Sequence, residues 1–407
     1  STSDIFTPPS RVDCAPLAPA SGKVVTVKPD QAAELRTIVA SATSGTTILL
    51  EDGTYLLDAG DSSSRLQFSV SGVTLRSKSG DPSNVILDGG YKTNELVSIL
   101  ASDVTIAEIT LMRAYDHPIH VSGSATTISG TRIYRVRIID PGQQAIKINT
   151  GNNETTFADN GTIACSEITL TEAGRAKIRD NCYTGGIDGH QAWGWRVRDN
   201  LIRGFYCSSG LSEHGVHFWN GSRDTIVERN RIIDCARGIG FGLGANGNGS
   251  YRTYPDGLYA GLGYIGHYGG IIRNNAIVAT IAGFDSGISL EQSRGTYVLH
   301  NSVVSQQPPF SSIEWRFANT EVTLTNNLVS HNLRERDGNP SSTSAGNLEN
   351  APVSLFVDPW NGDLHLQSTA NAVLGKGVDV PLGLCDDDID GEARTKPRDI
   401  GADQRHR

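Results

Sequence analysis

The sequence predicts an all-β chain that folds as a right-handed parallel β-helix, and three observations lead to this prediction. Residues 186–242 contain three similar passages, each made of an alternating segment, a turn and a second alternating segment. Their aliphatic positions Ile187, Val216 and Ile239 are 29 and 23 residues apart, which fits β-helix coils of roughly 20 to 30 residues. The chain contains 45 Gly residues and its repeats favour Ile and Val, as expected of short, tightly stacked strands.

The N-terminal part of the chain predicts an extended arm followed by a helix. Residues 1–22 are rich in Pro, Ser and Ala and show no periodicity. After them, Asp30 can cap a helix whose apolar positions include Leu35 and Val39, and Gly45 can end that helix before a strand. Such a helix would cover the open end of the solenoid, where the first coil otherwise exposes core and sheet edge.

Period-2 alternation then continues through successive strands from Gly72 and fades after Pro340. We therefore predict three segments along the chain. They are an extended N-terminal arm at residues 1–22, a parallel β-helix with a helical cap at 23–340, and C-terminal coils with a tail packed on the helix at 341–407.

Two segments interrupt the alternation, and both are predicted to be loops that flank the central coils. Residues 152–183 show no periodicity but contain two cysteines, which favours an ordered projection. Residues 243–269 are dense in Gly and Tyr and are predicted to fold over the polar face of the coils. Its aromatic residues can stack on sugar rings or pack the loop onto the body: Tyr251, Tyr254, Tyr259, Tyr264 and Tyr268.

Asparagines recur before aliphatic residues at equivalent places in the repeat. They are Asn200, Asn230, Asn275, Asn301 and Asn327. Side-chain amides stacked in this way can bond to one another and to the turn backbone, so the series predicts a structural ladder.

Charge and hydropathy exclude some partners. The formal net charge is −9 and the chain has no basic tract, so nucleic acid is not an expected partner. No apolar run approaches the roughly 18 residues that span a bilayer, so no membrane association is expected. The first residues, STSDIFTPPS, are not typical of a signal peptide and favour a mature N-terminus left by processing. We expect a monomer.

Cysteine usage favours an oxidising compartment. The six cysteines form no CxxC pair, which argues against zinc and for disulfides in a secreted, periplasmic or extracellular protein. Fifteen pairings are possible. Cys165 with Cys182 would staple one loop, and Cys207 with Cys235 would join adjacent coils.

The repeat register predicts a stripe of polar side chains along one sheet, because side chains alternate and coils stack about 4.8 Å apart. The equivalent buried positions are Ile119, Ile146, Ile187, Val216, Ile239, Ile288 and Ile313. One residue on are His120, Lys147, Asp188, His217, Gly240, Ser289 and Glu314. Three residues on are Ser122, Asn149, His190, Trp219, Gly242, Glu291 and Arg316.

The helix followed by TTILLEDGTY, the coils and the tail DIDGEARTKPRDIGADQ together resemble secreted right-handed parallel β-helix proteins over about 320 residues. That group is rich in polysaccharide lyases and other enzymes of acidic sugars. The resemblance implies a lyase that cleaves a uronic-acid-containing polysaccharide by β-elimination. In lyases similar to chondroitinase B and related alginate lyases, a Lys and an Arg on successive coils act beside calcium. His217 and Arg237 resemble that pair, with Asp188 and Glu213 as implied Ca²⁺ ligands.

Uronate β-elimination requires a group that neutralises the carboxylate, a base and an acid. The candidate catalytic residues are His217, Arg237, Lys147 and His190: His217 as base, Arg237 as carboxylate clamp and Lys147 in either role. Candidate residues for binding the acidic polysaccharide are Asp188, His214, Trp219, Tyr251, Arg252, Tyr254, Tyr264, His267, Glu291, Arg294, Glu314 and Arg316.

Two other classes of function remain open. A glycoside hydrolase would use two carboxylates, for which Asp188 with Glu213 or Glu291 with Glu314 could qualify. An epimerase could use the same scaffold. A non-catalytic carbohydrate-binding solenoid would need only the aromatic loop and a polar face.

Overall fold

A computed structural model describes residues 12–179 and 181–406 and confirms the all-β parallel β-helix. The chain divides into two compact units. The first unit contains residues up to 188 together with 199–204, and the second contains 189–198 together with the residues from 205 onward. In each unit the chain visits three parallel sheets in turn, here named sheet 1, sheet 2 and sheet 3. Residues 1–11 of the predicted N-terminal arm lie outside the described residues.

The first unit contains five or six short strands in each sheet. Sheet 1 consists of Val24–Val27, Thr47–Leu50, Thr74–Ser77, Thr105–Ala107, Arg132–Tyr134 and Thr162–Ala164. Sheet 2 consists of Gly53–Leu56, Val85–Asp88, Thr110–Met112, Arg137–Ile139, Glu167–Thr169 and Leu201–Arg203. Sheet 3 consists of Leu66–Phe68, Glu95–Ile99, His117–Ser122, Gln144–Asn149 and Gly185–His190. Ile128–Ser129 and Ala158–Asp159 form a separate pair.

The second unit repeats this order. Sheet 1 consists of Arg196–Arg198, Ile226–Glu228, Ile271–Arg273, Ser293–Leu299, Glu321–Thr325 and Ser341–Ala345, with the short strands Ser222–Arg223 and His267–Tyr268 pairing beside it. Sheet 2 consists of Arg231–Ile233, Ala276–Ala279, Ser302–Ser305 and Leu328–Val329. Sheet 3 consists of His214–Trp219, Arg237–Phe241, Ser286–Glu291, Ser311–Arg316 and Leu333–Glu335.

The aliphatic register predicted for sheet 3 is confirmed within each unit. Ile119 pairs with Ile146 in the first unit. In the second unit the pairs Val216 with Ile239, Ile239 with Ile288, and Ile288 with Ile313 follow one another. All of these side chains are fully buried. The inward positions therefore form the core, and the positions between them point to the outer face.

The asparagine ladder is confirmed in the second unit and extends one residue beyond the prediction. The side-chain amide of Asn230 donates to that of Asn275 at 3.0 Å, Asn275 to Asn301 at 2.9 Å, and Asn301 to Asn327 at 3.0 Å. Asn327 then donates to Asn347 at 2.9 Å. Each acceptor oxygen also takes the backbone N–H of the preceding asparagine, so the ladder satisfies buried donors at the turn between sheets 1 and 2.

The N-terminal helix is present but shorter than predicted. A 3₁₀ segment, Pro29–Glu34, precedes the α-helix Leu35–Ala40, which buries Leu35 and Val39 and packs on the first strand of sheet 3. The predicted cap is wrong, because Asp30 lies inside the 3₁₀ segment and Lys28 precedes it. The helix is followed by Ser41, four residues before Gly45. The remaining helices are Val12–Cys14, Asp61–Ser64, Glu172–Arg175, Val353–Leu355 and Pro359–Asn361. Among the described residues, no helix is long and apolar enough to cross a membrane.

The prediction of one long loop at residues 152–183 is wrong, because this segment contains a further coil. Thr162–Ala164 pairs with Arg132–Tyr134, and Glu167–Thr169 pairs with Arg137–Ile139. Strands of three residues contain too little alternation to be found from the sequence. The other interruption, 243–269, is a loop until the short strand His267–Tyr268.

The described part of the N-terminal arm is fixed to the body by a disulfide. Cys14 and Cys165 form this bond, so the predicted Cys165–Cys182 pair is wrong. Cys182 and Cys207 are also disulfide-bonded. The predicted Cys207–Cys235 pair is wrong as well, because Cys235 is a buried thiol that donates to the Ile233 carbonyl.

The C-terminal segment packs on the outer side of sheet 2 in the second unit. Its antiparallel hairpin, Phe356–Asp358 with Asp363–Leu366, contributes Phe356 and Leu364 to a cluster that contains Val278 and Val304. The segment therefore covers sheet 2 and leaves the outer face of sheet 3 to the polar side chains.

We expect Asn275→Ala to lower the free energy of unfolding by about 2 to 4 kcal/mol, because it removes the acceptor of the buried Asn230 backbone N–H and breaks the ladder at that amide. Asn371→Ala, at an exposed position, is the matched control and should change stability by less than about 0.5 kcal/mol. Urea unfolding followed by circular dichroism measures both. Equal free energies of unfolding of the two variants would contradict a contribution of the ladder to stability.

Candidate functional site

The polar stripe of the second unit lies on the outer face of sheet 3. His217 pairs with Gly240, Gly240 with Ser289, and Ser289 with Glu314, so these positions form one row across four strands. Two residues further along, Glu291 pairs with Arg316. The row and its neighbours bring charged side chains from successive coils together, as the register predicts.

A cavity of about 270 Å³ opens on this face. Its walls carry three arginines, three carboxylates and two apolar side chains, together with serine hydroxyls. The lining residues are Leu211, Arg237, Asp285, Ser286, Ser289, Glu291, Phe310, Glu314, Arg316 and Arg336. The structure therefore brings Arg237, Glu291, Glu314 and Arg316 of the predicted site residues into one place.

Glu314 is the most buried carboxylate of the cavity, with 2 % of its surface exposed. The Ser311 hydroxyl donates to Oε2 at 2.7 Å, and Arg336 Nη1 donates to Oε1 at 2.9 Å. Burial raises the pKa of Glu314 and the charge of Glu291 adds to this, whereas Ser311 and Arg336 lower it, and the net pKa lies above the usual value. Glu314 can therefore hold a proton to a higher pH than an ordinary glutamate.

Glu291 lies diagonally across from Glu314 on the same face. The Gly244 N–H donates to its carboxylate, and Arg316 Nη1 is 3.9 Å from Oε1. Because Glu314 pairs with Ser289, two residues before Glu291, strand geometry places the two glutamate Cα atoms roughly 8 Å apart. The two carboxylates therefore have different partners and lie in different electrostatic surroundings.

Arg237 is held at the edge of the cavity by Ser212 and Glu213, which precede the neighbouring strand His214–Trp219. Its Nε donates to the Ser212 carbonyl at 2.9 Å, and Nη2 is 3.6 Å from Glu213 Oε1. The guanidinium thus has a defined position and contributes positive charge to the wall, as a carboxylate clamp requires.

Behind Arg237 lies a cluster formed by Glu213, His214 and His217. Glu213 Oε2 is 3.4 Å from His217 Nδ1 and 3.8 Å from His214 Nδ1. The two imidazole centroids are 4.3 Å apart. Burial raises the pKa of Glu213, but the imidazoles and Arg237 outweigh it and hold the pKa well below its usual range. Burial lowers the pKa of His214 to about 3, so this ring is neutral.

The structure does not leave His217 accessible as the catalytic base that the sequence predicts. The side chain points away from the core, yet none of its surface is exposed. Its Nε2 donates to the Gly242 carbonyl at 2.9 Å, and the ring stacks on Trp219 at 5.3 Å. Trp219 is itself buried and contacts His190 on its other side, at 4.4 Å between centroids. These contacts fix His217 and Trp219 in packing rather than in sugar binding.

Lys147 and Asp188 form a buried ion pair in the first unit. Burial lowers the pKa of Lys147, but the Asp188 carboxylate and Tyr183 outweigh this effect, so the net pKa is raised. A raised pKa favours the charged ammonium, which fits the predicted neutralising role of Lys147 better than its predicted role as base. Asp188 is correspondingly engaged by a cation, which does not favour its predicted roles in calcium or substrate binding.

The calcium prediction rests on Asp188 and Glu213, and the donor atoms around them do not fit that ion. Calcium takes six to eight oxygen ligands. The Asp188 carboxylate accepts from Lys147, and the Glu213 carboxylate faces two imidazole nitrogens. These two residues therefore do not form a suitable calcium site.

The loop at residues 243–269 touches the stripe at its first residues and packs elsewhere through its tyrosines. Tyr254 is buried and donates to the Gly221 carbonyl at 2.7 Å, and Tyr264 is buried beneath the half-exposed Tyr251. Burial of the Tyr254 and Tyr264 rings attaches the loop to the body, which does not favour their predicted contact with substrate.

Three other predicted binding residues lie away from the cavity lining. His267 is fully buried against the Phe241 ring, and burial lowers its pKa to about 3, which does not favour its predicted role in substrate binding. Arg252 donates to the Gln191 carbonyl and faces Tyr254, and Arg294 pairs with Glu321.

Among the cavity residues that the sequence analysis missed are Asp285, Phe310 and Arg336. Arg336 follows the last strand of sheet 3, Asp285 precedes the strand Ser286–Glu291, and Phe310 precedes Ser311–Arg316. All three lie at strand ends, where alternation no longer tells which way a side chain points. Extending the register to Leu333–Glu335 would have drawn attention to Arg336.

No protein-family model matches the sequence, and a search of curated proteins finds no match. Solved structures, in contrast, share the fold. The chain is similar to pectate lyase Pel9A, with 12 % identity, a TM-score of 0.59 and coverage of 95 % of this chain and 97 % of that one. It is similar to an alginate lyase from Paenibacillus sp. str. FPU-7, with 13 % identity, a TM-score of 0.53 and coverage of 79 % and 97 %.

A third similar structure is a tailspike protein of E. coli bacteriophage HK620 in complex with a hexasaccharide. The identity is 14 % and the TM-score 0.51, over 78 % of this chain and 60 % of the tailspike chain. With TM-scores above 0.5 and identities below 15 %, the similarity to these structures is one of fold.

Proposed function

We propose that the protein cleaves a uronic-acid-containing polysaccharide by glycoside hydrolysis in the cavity formed around Glu291 and Glu314. The observation that carries the proposal is the pair of carboxylates, one of them with a raised pKa, set between Arg237, Arg316 and Arg336. Glycosidases use two carboxyl groups, one of which is protonated and acts as the acid while the other is ionised.

The three arginines account for an anionic substrate. Arginine binds carboxylates through paired N–H donors, and Arg237, Arg316 and Arg336 surround one cavity. In this proposal they hold the uronate carboxylates of adjacent sugars and position one glycosidic bond over the glutamates. Phe310 and Leu211 supply apolar surface for the sugar rings.

Glu314 acts as the general acid and Glu291 as the general base. Glu314 gives its proton to the glycosidic oxygen as the bond from that oxygen to C1 breaks. Glu291 takes a proton from water, whose oxygen forms the new bond to C1. Carboxyl groups about 6.5–9.5 Å apart give inversion at C1 and carboxyl groups about 5–5.5 Å apart give retention, so the anomer of the first product reports their separation.

Lyase action is the second candidate, and the three arginines favour it. Neutralising the uronate carboxylate makes the neighbouring C5 proton acidic, which is the first requirement of β-elimination. Two of the similar structures are named as lyases of pectate and alginate, and a third binds a hexasaccharide, which supports a polysaccharide substrate. The disulfides support action outside the cytoplasm.

The proposal predicts that Glu314→Gln removes the proton donor and lowers kcat by roughly 10² to 10⁴ with little change in KM. The measurement is release of reducing ends from pectate, alginate and glycosaminoglycans, combined with ultraviolet absorbance of unsaturated products. Glu335→Gln, at an exposed position of the neighbouring strand, is the matched control and should keep full activity.

Reducing ends without ultraviolet absorbance indicate hydrolysis. Absorbance that grows with cleavage would reject hydrolysis in favour of elimination. Full activity of Glu314→Gln on a polymer that the parent protein cleaves would move the site away from this cavity.

The contact from Arg336 to Glu314 predicts a shift in the pH profile. Arg336 lowers the pKa of Glu314, so Arg336→Gln should raise that pKa further. Since the acid works while protonated, activity falls as pH rises through its pKa. The falling limb of kcat/KM should therefore move to higher pH.

Lys376→Gln is the control for this shift, because it removes one positive charge at an exposed position that is not part of the cavity lining. Its profile should match that of the parent protein. If Arg336→Gln still turns over substrate and the falling limb of its kcat/KM profile lies at the same pH as in the parent protein, Glu314 is not the acid.

A further inference from the structure

We propose that Glu213, His214 and His217 bind one transition-metal ion, for which Zn²⁺ is the reference, behind the wall of the cavity. The site is separate from the two carboxylates to which hydrolysis is assigned. Its ligand atoms are one carboxylate oxygen of Glu213 and the Nδ1 atoms of the two histidines, all within 4.8 Å of one another.

The distances fit ligands of a common ion better than a hydrogen-bonded group. Glu213 Oε2 lies 3.4 Å and 3.8 Å from the two Nδ1 atoms, beyond the usual N–H···O range of 2.7–3.2 Å. Oxygen and nitrogen ligands about 2.0–2.1 Å from a tetrahedral Zn²⁺ are roughly 3.3–3.4 Å from each other. A small movement of His214 would complete that geometry.

The other ring nitrogens are already oriented as in metal sites. His217 Nε2 must carry its hydrogen, because its partner is the Gly242 carbonyl, and Nδ1 then presents a lone pair. His214 Nε2 is bonded to the Ser289 hydroxyl at 2.9 Å. Such outer contacts fix the tautomer and the direction of a ligand.

His214 supplies a second, independent observation. Its ring is buried, and its Nδ1 makes no hydrogen bond although it points toward Glu213. A buried polar atom without a hydrogen bond costs free energy, and a metal ion would remove that cost.

Gly240 makes room for the His214 ring. A Cβ at this position would lie 2.5 Å from His214 Nε2 and less than 3 Å from two ring carbons. The glycine thus allows His214, from the start of its strand, to lie over the outer face beside His217.

The donor set selects the class of ion. Two imidazoles and one carboxylate are typical ligands of zinc and other borderline divalent metals, whereas calcium and magnesium prefer oxygen. Cysteine spacing could not predict this site, because none of its donors is sulfur. A tetrahedral ion would need one further ligand, and Glu213, whose side chain is 23 % exposed, lies where water can supply it.

The test uses the full chain without a histidine tag, stripped with a chelator and dialysed against Zn²⁺ or Co²⁺. We expect one tightly held ion per chain and visible Co²⁺ absorption typical of low coordination number. X-ray absorption at the zinc edge should show imidazole nitrogens at about 2.0–2.1 Å. Glu213→Gln should weaken Zn²⁺ binding by at least roughly 100-fold.

Gly240→Ala tests the geometry without altering a ligand. Its Cβ should displace the His214 ring and weaken Zn²⁺ binding by roughly 10- to 100-fold. Two other clusters provide controls, the first at Asp388, Glu392 and His406 and the second at His365, Asp390 and Asp403. Glu392→Gln and His365→Gln should leave the high-affinity ion in place.

The proposal is overturned if the parent protein retains no ion, or if its ion is lost in Glu392→Gln or His365→Gln and kept in Glu213→Gln. A zinc edge without histidine scattering overturns it in the parent protein itself, even if Glu213→Gln does not fold. Glycan cleavage by the parent protein is measured separately. That measurement, together with Glu314→Gln, tests the proposed hydrolysis and not the metal site.

Discussion

Stacking of parallel strands coil upon coil is the constraint on which the rest of the structure depends. Each coil must place an apolar residue over the one beneath it, as Val216, Ile239, Ile288 and Ile313 do. The turn donors that stacking buries are taken up by the asparagine ladder. Because the inward positions are fixed in this way, the outward positions between them are also in register. Charged side chains at these positions on successive coils therefore lie next to each other.

Much of the fold was predictable, because alternation and spacing are physical signatures that survive in a single sequence. The register of sheet 3 and the ladder followed from it. The coil at Thr162–Ala164 and Glu167–Thr169 did not, since its strands are too short to show a period. The disulfide from Cys14 to Cys165 spans 151 residues and could not be read from local spacing.

The candidate site was predictable in part, because alternation determines on which side of a strand a residue lies and not how deeply it is buried. Glu314 and His217 share one row, yet Glu314 lines a cavity and His217 is enclosed by Trp219 and the Gly242 carbonyl. The same rule applies in the first unit, where Lys147 and Asp188 neutralise each other. Which outward charges can do chemistry depends on neighbours from turns and strand ends, which a repeat pattern does not describe.

The ladder keeps the stacking of the coils independent of the length of the loops between them. The amide bond from Asn230 to Asn275 spans 45 residues, whereas that from Asn275 to Asn301 spans 26, and their lengths are 3.0 Å and 2.9 Å. The tyrosine-containing insertion between them therefore leaves the stacking of the coils at the ladder unchanged. For protein evolution this means that insertions at such turns can remodel what surrounds a substrate while the residues beneath it keep their places. New specificities can then arise on this scaffold without a loss of foldability.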